Sequence, residues 1–431
     1  MTEELRVLIA AEHASARFGG EAALPLHYFR VMRNRGVPVW LVTHSRTRDE
    51  LVALYPGDDR IFYIEDTTFH RAMWRIGSRL PDAISYLTTG FLSRLSTQLA
   101  QRRLIRHLVR EEGITVVHQP MPVSPREPSM LYGFGVPVVI GPMNGGMDYP
   151  PAFRRQRGGV ERVLLGLGRA SATLLNTLMP GKRRAATLLV ANQRTRDALP
   201  RGVCCNVVEL VENGVDLSVW RQAREVVQPP PGEIATTFVF MGRLIDWKAV
   251  DLLLHAFAAA RGKAPMCLWI LGDGDERANL ESLAMRLGVA VGEPNVPGAI
   301  YFAGWLPQSA CVERLALADA LVLPSLLECG GAVVLEAMSL GKPVIATAWG
   351  GPLDYLDRTC GILIEPTSAE AIIDGLAAAM IELAGSASKR RAMGQSGLCR
   401  VRREFDWLLK GERMLGVYGD AIARMRDPAM R

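Results

Sequence analysis

The sequence predicts an α/β chain of two doubly wound, Rossmann-like domains. Three observations carry this. The chain has 431 residues, 49% hydrophobic and 22% charged, enough for two hydrophobic cores. Near its start, Arg6–Ala11 (RVLIAA), a glycine loop opening a helix at Gly19-Gly20, and PVWLVTH (38–44) make a strand–helix–strand unit. Near its end, ALVLPS (320–325), the loop Glu328-Cys329-Gly330-Gly331, the helix AVVLEAMSLGK and the strand PVIAT (343–347) make another.

Taken in order, MTEELRVLIAAEH has acidic residues ahead of its apolar run, unlike a signal peptide. The first helix runs to about Arg35. Its loop lacks the G-x-G-x-x-G spacing, which argues against a dinucleotide cofactor. Gly19 and Gly20 therefore either touch another ligand or make only a tight turn. Residues 69–110 read as long, helical and basic, with eight Arg against one acid from Arg71 to Arg110 and Trp74, Ile76, Leu87 and Phe91 among them. Phe153–Arg184 repeats the pattern, with eight basic residues against Glu161. Such helices either lie on an anionic membrane surface, near which each basic residue contributes about 1 kcal/mol, or are solvated faces over ordinary core. GITVVHQP (113–120) is a strand ending at His118, which stands at the ligand-facing edge of a sheet or is a hydrogen-bonded core histidine. PVVIGPMNGGMDYPP (137–151) is a strand and a rigid loop with Asn144 and Gly145, suited to a ligand or to a structural turn. ATLLVAN (186–192) is a further strand.

The second domain opens with TFVFMGRLIDWKAVDLLLHAFA (237–258), after the Pro-rich surface turn REVVQPPPGE (224–233). Its strand ends at Gly242, Arg243 follows, and Lys248 precedes a helix. Two cations around a loop at a strand's C-terminal end call for an anion, with surface ion pairs as the alternative. LWILGDGDE (268–276) brings Gly272, and AIYFAGWLPQ (299–308) brings Trp305, which either stacks on a planar ligand or anchors the core. In Pro324–Gly351, Gly330 and Gly331 let the backbone approach a ligand. The amides of Gly331, Ala332 and Val333 face it with the positive end of a helix dipole behind them. Glu336 leans back toward the helix start and can accept both hydroxyls of a ribose; Glu328 can take those of a second ring. A carboxylate pair flanking an anion nest suits a nucleotide-diphosphate sugar. A solvated face is the plainer alternative.

Residues 1–200 carry 27 Lys and Arg against 17 Asp and Glu, whereas the whole chain nets only +6. A basic first half and a slightly acidic second half point to different ligands. Seven cysteines are scattered without metal-ligand spacing, which reads as reduced thiols and a cytoplasmic location. No run approaches the ~18 apolar residues of a membrane span.

The stretch from Glu328 resembles the donor site of retaining glycosyltransferases of family 4, which have the GT-B fold. Their pattern, E-x7-E, then EAM-x-x-G-x-PVIA and a G-G loop, stands here as Glu328…Glu336, EAMSLGKPVIA and Gly350-Gly351. Asn213-Gly214-Val215-Asp216 is similar to the family's linker signature, and Gly242-Arg243-Leu244 with Lys248 to its diphosphate-binding loop. Ala249 and Cys329 depart from it, since the family has Gly at both places.

The resemblance implies two facing Rossmann-like domains with an interdomain cleft. Residues 1–215 would bind the acceptor, joined by the C-terminal helix at about 406–431, and 216–405 the nucleotide sugar. It implies Arg243, Lys248, Gly272, Trp305, Glu328, Gly330, Gly331, Ala332, Val333 and Glu336 at the donor, with Gly19 and Gly20 reaching its diphosphate. His118, Arg243, Lys248 and Glu328 would be catalytic, and His118, Asn144 and Gly145 would meet the acceptor. The co-substrate would be a nucleotide-diphosphate sugar, with no metal or other cofactor. The partners would be that donor, a glycan or lipid-linked acceptor and an anionic membrane surface on the cytoplasmic side, but not nucleic acid. The rival readings are a sugar-nucleotide epimerase, a sugar phosphorylase or a non-catalytic sugar-nucleotide binder.

Overall fold

A computed structural model of the chain describes residues 4–17, 20–156, 171–218, 220 and 235–426. Gly19, residues 157–170 of the second basic stretch and the turn 224–233 lie outside the described residues.

The first unit comprises Met1–Gly146, Arg157–Glu212 and Lys410–Arg431. Its strands are β1 (Val7–Ala10), β2 (Val39–His44), β3 (Ile61–Ile64), β4 (Val116–Gln119), β5 (Val138–Met143), β6 (Thr187–Val190) and β7 (Val207–Glu209). They form one sheet in the order β3-β2-β1-β4-β5-β6-β7, and every pairing is parallel. β1, β2, β4, β5 and β6 are buried along their whole length, the reason their sequences read as unbroken apolar runs rather than alternating ones. Leu8, Trp40, Ile105, Val117, Ile140 and Leu188 share one core cluster. β3 is a strand that the sequence reading does not single out, because its apolar run is only IFYI between Arg60 and Glu65.

The expected long helix over 69–110 is broken. Thr68–Gly77, Asp82–Ser85 and Phe91–Glu111 are separate helices, with a π turn at Tyr86–Gly90. Pro81 interrupts the first, since it has no amide hydrogen to offer. Thr67 and His70 cap Thr68–Gly77 reciprocally.

The second unit comprises Met147–Gln156 and Asn213–Leu409. Its strands are β8 (Thr236–Met241), β9 (Met266–Leu271), β10 (Ile300–Gly304), β11 (Ala320–Leu323), β12 (Val344–Thr347) and β13 (Gly361–Ile364), ordered β10-β9-β8-β11-β12-β13 and all parallel. In both units the strand order reverses between the first strand and the fourth. Ligands of doubly wound sheets bind outside the C-terminal strand ends at that reversal. In the second unit it lies between β8 and β11, the two strands that lead into the Arg243 and Glu328 loops.

The last helix, Trp407–Arg426, packs within the first unit from Lys410 onward. A methyl on Gly411 would overlap Val31, so glycine lets this helix approach Gly20–Asn34 closely.

Candidate functional site

The loop after β8 carries Gly242, Arg243 and Lys248; the loop after β11 carries Ser325, Glu328, Gly330 and Gly331. They meet through two contacts. Leu326 donates its N–H to the Trp247 carbonyl at 2.8 Å. Lys248 Nζ donates to the Glu328 carboxylate in a close ion pair. Ser325 Oγ donates to the same carboxylate at 3.2 Å, a partner that sequence reasoning missed. Arg243 is exposed and, among the described residues, makes no ion pair. One cation thus holds a carboxylate while its neighbour faces outward.

Gly331 is the residue before the helix Ala332–Ser339 and has φ 77°, a left-handed conformation that favours glycine. A methyl there would also lie 3.0 Å from Glu328 Cγ. Among the described residues no acceptor takes the amides of Gly331, Ala332 or Val333. The helix therefore presents free N–H groups beside the Lys248–Glu328 pair. Glu336, one turn on, is half-buried, and burial pushes its carboxyl up to about 7. Cys311 is close enough for that carboxylate to help push its thiol up, after burial.

Two glycine pairs seat the loops against each other. A methyl on Gly272 would overlap the Gly242 carbonyl, and one on Gly274 the Leu244 carbonyl. Gly272 thus serves loop-to-loop contact. A methyl on Gly350 would overlap the Glu328 carbonyl and one on Gly351 the Gly330 carbonyl, while the Gly351 N–H donates to the Glu328 carbonyl at 2.7 Å. Trp305, following β10, is 74% exposed, so it is no core anchor. Asp273-Gly274-Asp275 has an Asp-x-Asp spacing that the sequence reading passes over. Asp273 accepts the Gly274 N–H at 2.8 Å and pairs with Arg277 at 3.1 Å.

The first unit corrects three assignments. His118 lies inside β4, fully buried. Its Nε2 donates to the Gly141 carbonyl at 2.6 Å and its Nδ1 accepts from Tyr418 Oη at 2.8 Å. Burial lowers its pKa to about 4. Both nitrogens are used, so it is a core histidine without a free face for acceptor or sugar. Asn144 is also buried, donating to Glu212 at 2.6 Å and accepting from Thr195 at 3.4 Å. Gly145 donates to Thr195 Oγ1 at 3.1 Å, and a methyl on it would lie 2.6 Å from Pro125 Cδ. Asn144 and Gly145 join β5 to its surroundings rather than face a ligand. Gly20 is exposed, with open space where a methyl would be, so packing does not require glycine there.

Among the described residues His44, Asp66 and His70 group their polar atoms within 4.8 Å of one another. His70 Nδ1 accepts the Thr67 N–H at 3.2 Å. Thr97 gives its hydrogen to the Ser93 carbonyl and so accepts from His70 Nε2 at 3.1 Å. His70 thus uses both ring nitrogens in hydrogen bonds, and Arg46 donates to Asp66 at 2.9 Å.

Residues 224–397 match the model of the family described as glycosyl transferases group 1. The lipopolysaccharide core biosynthesis glycosyltransferase LpsE of Rhizobium meliloti (strain 1021) is 34% identical over 164 residues, 38% of this chain and 44% of the relative. A D-inositol 3-phosphate glycosyltransferase of Salinispora tropica is 32% identical over 270 residues, 56% of this chain and 52% of the relative. The chain spans about half the length of the curated relatives it matches. Among solved structures, Anabaena Alr3699/HepE in complex with UDP is similar with a TM-score of 0.63 at 15% identity, over 96% of this chain and 100% of that one. The apo lipopolysaccharide outer core galactosyltransferase WaaB is similar with a TM-score of 0.60 at 15% identity, over 96% and 99%. These likenesses span both units and show the GT-B fold class.

Proposed function

We propose that the protein is a retaining glycosyltransferase that moves a sugar from a nucleotide-diphosphate donor to a glycan or lipid-linked acceptor. One observation carries the reading. At the strand-order reversal of the second unit, an outward Arg243, the Lys248–Glu328 pair, the free amides of Gly331–Val333 and the half-buried Glu336 adjoin along two loops and one helix. Cations and amides suit the diphosphate, Glu336 the ribose, Glu328 the sugar hydroxyls, and exposed Trp305 the base. The group 1 family match and the relatives named for lipopolysaccharide core and inositol phosphate glycosylation support glycoconjugate assembly as the setting.

In the proposed reaction the bond from sugar C1 to the diphosphate oxygen breaks, and the diphosphate leaves with the electron pair. The acceptor oxygen bonds to C1 on the same face, and its proton passes to the departing diphosphate. Arg243, Lys248 and the helix amides take up the charge that grows on the leaving group. No step requires a metal, so a chelator is expected to leave turnover unchanged.

The test is a thermal-shift screen with uridine and guanosine diphosphate sugars, followed by turnover with and without acceptor. A donor at about 100 times its Kd stabilises by about 2.7 kcal/mol, which is readable. Sugar transfer that depends on acceptor supports the reading; rearrangement or loss of the donor sugar without any acceptor points to an epimerase instead.

A further inference from the structure

Between Gly146 and Arg157 the chain leaves the first unit, and Met147–Gln156 packs as part of the second. Its first two residues lie on the loop after β12. The Trp349 indole N–H donates to the Asp148 carbonyl at 2.8 Å. Met147 covers Gly350 so closely that a methyl there would come 2.6 Å from Met147 Cε and 2.7 Å from Sδ. The same methyl would overlap the Glu328 carbonyl oxygen, so Met147 and the Glu328 backbone meet on one side of Gly350, and the Gly351 N–H donates to that carbonyl at 2.7 Å. Met147–Asp148 therefore adjoins the Glu328 backbone at Trp349–Gly351.

We propose that Met147–Asp148 is a brace that fixes the Glu328 loop through Trp349, making Trp349 and Met147 positioning residues for sugar transfer. The inference rests on the donor-site reading above. Lys248 and Ser325 hold the outer end of the Glu328 side chain, and Gly331 packs on its stem. Its backbone is held by Gly350-Gly351, which have φ 74° at Gly350 and little side-chain volume of their own to resist displacement. The brace supplies the missing wall. The amides of Gly331–Val333 and Glu336 belong to the helix and do not depend on it. Without the brace the nucleotide portion binds normally while the sugar loses its fixed orientation. Water then competes with the acceptor for C1.

The experiment uses the full chain with Trp349→Phe, which keeps a ring but loses the N–H, and Met147→Ala. Nucleoside diphosphate Kd is expected to stay within twofold of the unchanged chain. With the donor found in the screen, kcat is expected to fall about tenfold and the ratio of hydrolysis to transfer to rise. Hydrogen exchange of the Gly351 amide, which donates to the Glu328 carbonyl, is expected to quicken about tenfold while β8 and β9 stay protected. Unchanged exchange in both variants overturns the brace, whatever the donor screen finds. So does a kcat and hydrolysis ratio within twofold in a chain that transfers sugar, or a loss of diphosphate binding in step with kcat. If the unchanged chain turns over no nucleotide sugar, the donor-site reading fails, and exchange alone then decides the brace.

Discussion

Lys248 and Glu328 stand 80 residues apart in sequence and pair at the ends of neighbouring strands β8 and β11. Their side chains are 16% and 12% exposed, so the ligand-free site holds its cation and carboxylate on each other. A diphosphate must draw Lys248 away from Glu328. Glu328→Gln is therefore expected to bind a nucleoside diphosphate as tightly as the unchanged chain or tighter, by up to about 1.5–3 kcal/mol, the scale of a hydrogen bond to a charged group. Turnover is expected to fall about 100-fold, since the sugar loses its carboxylate. Calorimetry with the diphosphate alone separates the two effects. Weaker binding in the variant would contradict the competition.

Glu336 links binding to pH. Burial raises its folded-state pKa from 4.5 to about 7, so between those values the folded chain holds its proton more firmly than the unfolded one. Its contribution to stability is present at low pH and is lost as pH rises through about 7. Glu336→Gln is expected to match the unchanged chain at pH 4 and to exceed it by about 1–3 kcal/mol at pH 8. The same change is expected to weaken nucleotide binding at pH 8, where the carboxylate accepts from the ribose. Urea titrations and calorimetry at both pH values read this; a stability difference that ignores pH would sink it.

Two positions beside the site have left-handed backbone with different residues. Gly331, at φ 77°, has no room for a methyl without moving Glu328. Gly331→Ala is expected to lose about 1–2 kcal/mol of stability from backbone strain, together with most of the turnover. Ala249, at φ 49° before the helix Val250–Ala260, carries that strain already. Ala249→Gly relieves it but exposes the space of a buried methyl worth about 0.8 kcal/mol, so the net change is expected to stay within about 1 kcal/mol. Denaturant midpoints test both. A loss beyond 2 kcal/mol at position 249, on the same scale, would show that packing outweighs the backbone there.

His118 tests the corrected placement. Its folded-state pKa of about 4 lies below the unfolded value of 6.5, so its contribution is complete above pH 6.5 and is lost as pH falls through about 4. The full span is about 3 kcal/mol. His118→Ala is expected to lower thermal stability at pH 7 by removing the bonds to Gly141 and Tyr418, and to flatten the acid limb of the stability profile. Turnover per folded molecule is expected to stay within about threefold, under 1 kcal/mol. A loss of turnover without a loss of stability would restore a catalytic role.

The legible parts of this chain are those whose cause is local. β1, β2, β8, β11 and β12 announce themselves because both their faces are buried. Arg243, Lys248, Glu328, Gly331 and Glu336 are recognisable because their loop and helix lie within short stretches of sequence. The surroundings of His118, Asn144 and Gly145 are not legible because distant residues decide them. Tyr418, which caps His118, lies 300 residues away, and Glu212, which holds Asn144, lies 68 away. The Trp349–Asp148 bond spans 201 residues and gives no sequence signal. Lys182 shows the same limit for charge. It counts toward a basic stretch, yet it is buried and donates to the Ser124 and Pro125 carbonyls, both at 2.8 Å.

The remaining prediction concerns a membrane surface, and the helix Thr68–Gly77 carries it. Trp74 is 71% exposed and Ile76 49%, with Arg71, Arg75 and Arg79 exposed around them. Large apolar side chains left in water beside arginines suit the interface of an anionic bilayer. Two arginines of the basic stretches are engaged elsewhere: Arg94 pairs with Glu127, and Arg102 lies 3.7 Å over the Tyr132 ring. The surface contact is expected to rest on the short helix, where large apolar side chains and arginines are exposed together. Among the described residues no single helix is long and apolar enough to cross a membrane. Vesicles with anionic lipid are expected to sediment the protein at low salt and release it at high salt, as screening shortens the reach of the arginines. Changing Arg71 and Arg75 to Ser together is expected to weaken that binding by about 2 kcal/mol, one for each charge near the surface. Trp74→Ser is expected to weaken it with little change in salt dependence, because it removes apolar area instead of charge. All three changes leave the donor site untouched, so turnover on a soluble acceptor is expected to hold. Anionic vesicles that fail to retain the unchanged chain at low salt would end the membrane reading and direct the search to a soluble sugar acceptor.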